Sequence, residues 1–317
     1  MVKKKQKSGK IKETDMNQIK TLKELEKLVK EKSTPKMTVA FAHDIDTIIS
    51  VERAVKEKIV EAILIGDKEI IHERCKELRI SPDIFEIIHE PDEKKSGDLA
   101  VRMIIDKKAS ALMKGFISTP YFLKPILNKD YGLIKKGTIL SHSAIIEVPT
   151  YDKLLIVSDV AMIPHPDLNQ KIQMINFNVH KIAKTLGIEN PKVAIIAANE
   201  KVSEKMPATI DAAILSKMAE RKQIKGAIVD GPLALDVAIS KKACDIKGLK
   251  SPINGHADIL IFSSIETGNV FYKSTTILGK GKLAGIVTGA PFPAVLTSRA
   301  DDEDSKYYSI VLASALA

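Results

Sequence analysis

The sequence predicts an α/β protein built on a doubly wound, largely parallel sheet. Three features point that way: short runs of β-forming residues recur along the chain, helical stretches of about ten to fifteen residues separate them, and the runs are apolar on both faces rather than alternating. Strands of that kind have helices on either side.

Taken in order, residues 1–16 read as a disordered basic tail. From Ile19, apolar positions at Leu22, Leu25, Leu28 and Val29 recur at helical spacing among lysines and glutamates, which predicts an amphipathic helix. "MTVAFA", "AILIGD", "IFEIIHE" and "SALMKG" read as strands, followed by "TILSHSAIIEV" and "KLLIVSD". A helix over 167–186 ends at Gly187, whose access to positive φ suits a C-terminal cap. "KVAIIAA", "GAIVDG", "ADILIFSS" and "LAGIVTG" supply further strands, with helices through "TIDAAILSKMAERK" and near "GNVFYKSTTIL" and a last helix after Arg299.

The 317 residues, 44% of them hydrophobic, can bury a substantial core, and the length favours two domains. Cys75 and Cys244 stand far apart in no metal-ligand spacing, which points to a reducing compartment and a cytoplasmic protein. The N-terminus lacks the apolar core of a secretory signal, and no run approaches the roughly 18 apolar residues of a spanning helix, so no membrane partner is expected. Net charge is +9, but residues 1–12 hold six lysines and no acid, leaving +3 for the remainder. With 4% aromatic residues and no Trp there are few stacking platforms, so nucleic acid is not the expected partner, and a small polyanion fits the residual charge.

Sheets of this class bind ligands beyond the carboxyl ends of their strands, so the loops there carry the functional expectation. They include "KGFISTP", "SHS", "SD", "DGPLALD", "SSIETGN" and "TGAPFP". GxGxxG, Walker, GxSxG and HExxH motifs are all missing, which disfavours common nucleotide-binding, serine-hydrolase and zinc-protease readings.

"KVAIIAANEKVSEKMPATIDAAILSKMAERKQIKGAIVDGPLALDVAIS", "ADILIFSSIETGNVFYKS" and "LAGIVTGAPFPAVLTSRADDED", with "SALMKGFISTPYFLKPIL" and "LSHSAIIEV" upstream, resemble the phosphate acetyl/butyryltransferase family, most nearly its butyryl branch. The resemblance implies a fold like the isocitrate and isopropylmalate dehydrogenases, with two α/β/α domains and a cleft between them. The first domain would take residues 17–145 and 292–317, and the second, 146–291, would be inserted. It also implies the reaction acyl-CoA + phosphate = acyl phosphate + CoA, with butyryl favoured over acetyl. Coenzyme A and inorganic phosphate would be the partners, with no tightly bound cofactor, no metal and a homo-oligomeric assembly.

Such a reaction needs an anion cradle, donors aimed at the developing oxyanion and an acceptor for the thiol proton. Arg299 offers a planar, permanently charged fork for phosphate, and Ser298 precedes it near a helix start; both match the family's Ser-Arg pair. A capping serine and a surface ion pair remain the plain alternative. In the acetyltransferases the catalytic aspartate lies six positions after the arginine; here that position is Ser305, and Asp304 is the nearest substitute among four acids that also suit a helix N-terminus.

Lys124 stands where the acetyltransferases have a phosphate-binding arginine before proline, and Ser118 and Thr119 match a hydroxyl pair in the same motif. Ser141 and His142 belong to the "LSH" of the butyryl branch, His142 being either an acid-base group or a satisfied structural histidine. Asp230 ends a strand in "VDGPLALD", and Asn269 and Lys273 match the family in "GNVFYK"; each has a ligand-binding and a structural reading. Three alternatives stay open: a metal-dependent dehydrogenase on the same architecture, a non-catalytic CoA- or anion-binding module, and a nucleic-acid partner for the lysine tail.

Overall fold

The computed structural model describes residues 18–298 and 301–317. The expected tail at 1–16 lies outside them.

The chain starts with α1 (Leu22–Lys30), β1 (Lys36–Ala40), α2 (Ile45–Lys56), β2 (Glu61–Gly66), α3 (Lys68–Glu77), β3 (Glu86–His89), α4 (Glu93–Ile105), β4 (Ala111–Lys114) and α5 (Thr119–Ile126). It continues through β5 (Ser141–Glu147), β6 (Leu155–Ser158), α6 (Leu168–Phe177), β7 (Lys192–Ile196), α7 (Pro207–Glu220), β8 (Ile228–Leu233), α8 (Leu235–Ile239) and α9 (Lys241–Lys247). It closes with β9 (Ile259–Ile261), α10 (Ile265–Ile277), β10 (Lys282–Thr288), β11 (Ala294–Val295) and α11 (Glu303–Leu316).

The described strands form one sheet in the order β3-β2-β1-β4-β11-β10-β5-β6-β9-β7-β8. β3, β2, β1, β4 and β11 are mutually parallel, as are β6, β9, β7 and β8. Antiparallel β10 and β5 join the two blocks. The expected boundary at 145/146 therefore falls inside β5, and that at 291/292 falls between β10 and β11.

Local chemistry explains the elements. Thr21 and Glu24 form a reciprocal capping box at the start of α1, which buries Leu22, Leu25 and Val29. The expected helix over 167–186 is α6 followed by a π-helical turn at Asn178–Ala183, and Gly187 after it has φ of 72°. β11 has only two residues and follows Pro291 and Pro293, which is why composition does not announce it. α11 starts at Glu303 with Asp302 as its N-cap, and Ser305 to Ser314 are all buried. A helix covered all round can afford an unbroken small and apolar sequence such as "SIVLASAL".

Two contacts fix α10 against the loop after β6. An added Cβ on Gly268 would lie 2.1 Å from the carbonyl oxygen of Asp159, and the Asn269 side-chain amide donates to the carbonyl of Val160 at 2.9 Å. Only glycine permits that approach. Gly268→Ala is expected to lower stability by about 1–3 kcal/mol through displacement of α10, seen as a drop in melting temperature; an unchanged melting temperature would show that the helix shifts without loss.

Candidate active site

Residues following β4, β11 and β6 meet the start of β5 and one face of α10 around a cavity of about 600 Å3. Its polar lining includes Lys114, Ser118, Thr119, His142, Asn269, Tyr272, Lys273 and Ser298. Val160, Ala161, Ile265 and Leu296 supply apolar wall. Six of the expected site residues are thus brought together: Ser118, Thr119, His142, Asn269, Lys273 and Ser298. Arg299 lies outside the described residues, between Ser298 and Asp301.

Ser118 is the N-cap of α5, yet its side chain makes no capping bond; its backbone N–H donates to Glu93 Oε1 at 2.5 Å. The hydroxyl therefore stays available on the cavity side, next to the exposed Thr119. Lys114 ends β4 only 7% exposed, with its ammonium 3.3 Å from the carbonyl of Gly115. A buried cation beside a helix N-terminus is a strong anion environment. Sequence reasoning missed Lys114, although a lysine closing an apolar strand just before Gly115 was a usable signal.

His142 is 3% exposed, and its Nε2 donates to the carbonyl of Leu296 at 2.9 Å. That bond makes Nδ1 the acceptor nitrogen of the neutral ring, and among the described residues Nδ1 has no hydrogen-bond partner. Ser141 sits deeper and does not line the cavity: its hydroxyl donates to Asp159 Oδ2 at 2.9 Å. The backbone N–H of His142 donates to the same oxygen at 2.8 Å, and those of Ala161 and Met162 to Asp159 Oδ1 at 2.7 Å each. Ser141 thus helps to hold the site's frame.

The remaining expected residues lie elsewhere. Asp230 is on β8, where its carboxylate accepts from Gly231 N at 2.9 Å and from Ser251 Oγ at 2.5 Å. Lys124 lines a separate, wider cavity of about 980 Å3 with Lys94, Lys95, Lys129, Tyr121 and Leu127; Pro120 borders both cavities. Asp304 faces away from the smaller cavity. Arg53 Nη1 is 2.6 Å from it and Lys282 Nζ 3.3 Å, and the hydrogen bond from Arg53 holds its carboxyl below the usual carboxylate range.

The acid that the fold does place behind the cavity wall is Asp301. Its Oδ2 accepts the Tyr272 hydroxyl at 3.0 Å and the backbone N–H of Ser298 at 2.7 Å. Burial pushes its carboxyl above the ordinary aspartate range, and burial with the neighbouring Asp301 charge pushes the Tyr272 phenol up as well. Ser305, at the family's aspartate position, is 5% exposed inside α11, its backbone N–H bonded to the Asp302 cap at 2.8 Å. Among the described residues no group of three or more His, Cys, Asp or Glu side chains is arranged to hold a metal ion, and no helix is long and apolar enough to cross a membrane.

A cavity at strand ends of an α/β sheet that is lined by lysines, hydroxyls and apolar side chains has the chemistry to receive an anion together with an apolar group. The family model for phosphate acetyl/butaryl transferase matches residues 93–314, and the chain belongs to that family of phosphate acyltransferases. A phosphate butyryltransferase of Clostridium acetobutylicum is 44% identical, covering 94% of this chain and 99% of its own. A phosphate acetyltransferase of Thermotoga maritima is 43% identical, covering 92% and 99%. The crystal structure of a branched-chain phosphotransacylase from Enterococcus faecalis superposes with a TM-score of 0.80 at 31% identity, over 89% of this chain and 99% of that one. A 4-hydroxythreonine-4-phosphate dehydrogenase from Klebsiella pneumoniae shares the fold alone, with a TM-score of 0.57 at 12% identity over 90% and 99%. The dehydrogenase-like α/β architecture and the phosphate acyltransferase reaction expected from the sequence are both present.

The placement of Asp304 makes a distinction that pH can read. A carboxyl with a depressed folded pKa adds stability above its unfolded pKa of about 3.9, and that stability is lost as pH falls through the folded value. Because the pair is substantially exposed, Asp304→Asn is expected to cost only about 0.5 kcal/mol near neutrality, with the difference from wild type vanishing in acid and turnover kept within about twofold. Loss of turnover by a factor of about a hundred or more would instead mark Asp304 as the proton acceptor.

Proposed function

We propose that this enzyme exchanges a butyryl group between coenzyme A and inorganic phosphate. The observation that supports the chain length is that Val160, Ala161, Ile265 and Leu296 give this cavity of about 600 Å3 apolar lining, which favours an acyl group longer than two carbons. Each buried methylene there favours butyryl over acetyl by about 1 kcal/mol.

Phosphate is held by Lys114, Ser298 and Thr119, where the lysine supplies a point charge, and by Arg299, whose type offers a two-pronged fork next to Ser298 in the sequence. Ser118 and the first N–H groups of α5 are the donors placed for the carbonyl oxygen as it becomes an oxyanion. A phosphate oxygen attacks the thioester carbon, and the C–S bond breaks as the thiolate leaves and is protonated. Asn269 and Lys273 present α10 to the ligand, Asn269 by fixing the loop that carries Val160.

The wider cavity suits the nucleotide end of coenzyme A. Among the described residues none of Lys94, Lys95, Lys124 and Lys129 forms an ion pair, whereas Asp98 is engaged by Arg102 Nε at 2.7 Å and the Tyr131 hydroxyl at 2.5 Å. Unpaired ammonium groups around the exposed Tyr121 ring match phosphates flanking a purine. Lys124 thus serves coenzyme A rather than inorganic phosphate, and Asp230 and Ser141 serve the frame.

The same reading makes the enzyme a cytoplasmic homo-oligomer with the two domains divided at 145/146 and 291/292, without a tightly bound cofactor and without nucleic acid as a partner. Both cysteines are buried and unpaired, and the exposed Val270 and Ile277 on α10, with Leu278 just after it, support assembly.

Phosphate-dependent release of free thiol from butyryl-CoA and acetyl-CoA tests the proposal. Butyryl-CoA is expected to have the higher kcat/KM by roughly tenfold or more, and Arg299→Ala to lower turnover by about a hundredfold or more. A higher kcat/KM for acetyl-CoA would reassign the acyl chain. In a second measurement, Lys124→Glu is expected to raise KM for the acyl-CoA roughly tenfold while KM for phosphate stays put; a rise in phosphate KM instead would return Lys124 to the phosphate cradle.

A further inference from the structure

The family's aspartate position is Ser305 and Asp304 is held by Arg53 and Lys282, so the thiol proton needs another acceptor. The geometry points to Tyr272 as a catalytic residue that passes the thiol proton to Asp301, with the hydrogen bond between them as the relay. The assignment rests on the acyl-transfer reading of the site and names the group that moves its proton.

Four observations carry it. Tyr272 lines the cavity, and its hydroxyl already donates to Asp301 Oδ2 at 3.0 Å. The backbone N–H of Ser298 donates to that same oxygen at 2.7 Å, so the acid is tied to the residue beside the phosphate end. Asp301 Oδ1 accepts no hydrogen bond from the described residues, which leaves the carboxylate capacity for a proton. The fourth is Gly268: its absent side chain lets α10, and Tyr272 with it, approach the site closely. A phenol held above its ordinary range is a poor base alone but a good relay, since it gains one proton while giving up another and never ionises.

The step balances. When acyl phosphate is consumed, the S–H bond of coenzyme A breaks and its proton goes to Tyr272 Oη, while the phenolic proton moves to Asp301 Oδ2. The sulfur lone pair forms the C–S bond at the acyl carbon, and the C–O bond to phosphate breaks with its electron pair leaving on oxygen. Asp301 then gives its proton to the departing phosphate, which leaves as hydrogen phosphate. In reverse, the attacking hydrogen phosphate gives its proton to Asp301, and Tyr272 returns one to the leaving thiolate.

The groups that face this pair are His142 from β5 and Lys306 from α11, with Asp302 next to Asp301 in sequence and Arg299 two residues before it. Lys306, and His142 in its protonated form, favour the carboxylate, and burial opposes it more strongly. The acceptor form is therefore present above a raised pKa and is lost as pH falls through it.

The test uses the full-length enzyme and whichever of butyryl-CoA and acetyl-CoA turns over faster, so failure of the chain-length reading leaves it intact. Tyr272→Phe is expected to lower kcat in both directions by about 10²–10⁴-fold, with KM for acyl-CoA and phosphate within about threefold. Asp301→Asn is expected to remove the acid limb of the kcat/KM profile, which Tyr272→Phe shifts but retains as a slower direct transfer to Asp301. Tyr272→Phe with wild-type kcat, or a loss confined to KM, would overturn the relay, as would an acid limb that survives Asp301→Asn. Should Asp301→Asn fail to fold, the kcat-against-KM split of Tyr272→Phe decides alone. A wild type inactive on both thioesters would overturn the reaction and the relay together, and is recognised by failing before any substitution is made.

Discussion

The carboxylate of Asp159 is the interaction on which the site depends. It sits 1% exposed at the end of β6 and accepts four hydrogen bonds, from the Ser141 hydroxyl and the backbone N–H groups of His142, Ala161 and Met162. A buried charge left short of partners would be expensive; here two of the bonds tie the entry of β5 to the loop after β6 and the other two close that loop on itself. The carbonyls of Asp159 and Val160 then receive α10 through Gly268 and Asn269. One carboxylate thus sets the positions of His142, the apolar Val160–Ala161 wall and the face of α10 that bears Tyr272 and Lys273.

The opposite wall is set by burial. α11 runs against β10, α2 and α1, and its ten consecutive buried residues leave it little freedom to slide. Lys306, 4% exposed near its start, donates to the carbonyl of Asp301 at 3.0 Å and pairs with Asp46 at 3.3 Å. Ser298 is therefore placed just after β11 on the sheet, and Asp301 is held by this helix in the core. Antiparallel β10 and β5 lie between the two parallel blocks, and the site forms where the blocks meet.

Much of this was legible in the sequence because apolar periodicity reports burial directly. "SALMKG", "KLLIVSD", "KVAIIAA" and "LAGIVTG" became β4, β6, β7 and β10, and Gly187 closed the helical stretch as its conformational freedom suggests. β11 escaped because two residues between a proline turn and a loop carry no period. The site was half legible. Ser118, Thr119, His142, Asn269, Lys273 and Ser298 stand out in their motifs, whereas Lys114, Tyr272 and Asp159, which also lie in quoted stretches, acquire meaning only from the contacts they make in the fold. Asp304 was favoured over Asp301 because distance along a chain says nothing of which side of a helix start a carboxylate faces. The structure turns Asp304 toward Arg53 and Lys282, and Asp301 toward Tyr272.

The charges around the cavity also explain why a buried acid suits this chemistry. Lys114 and Lys273 line the cavity, and cationic groups lower the proton affinity of a nearby carboxylate. On the proposed relay, a bound phosphate or acyl phosphate offsets that field and raises the proton affinity of Asp301 as the thiol is deprotonated. The same anion that supplies the reacting group thereby prepares the acceptor. An exposed aspartate screened by water would feel little of this coupling, whereas Asp301, desolvated and one hydrogen bond from Ser298, feels most of it. Burial that looks like a penalty for the isolated carboxylate becomes the means by which substrate charge and proton position are linked.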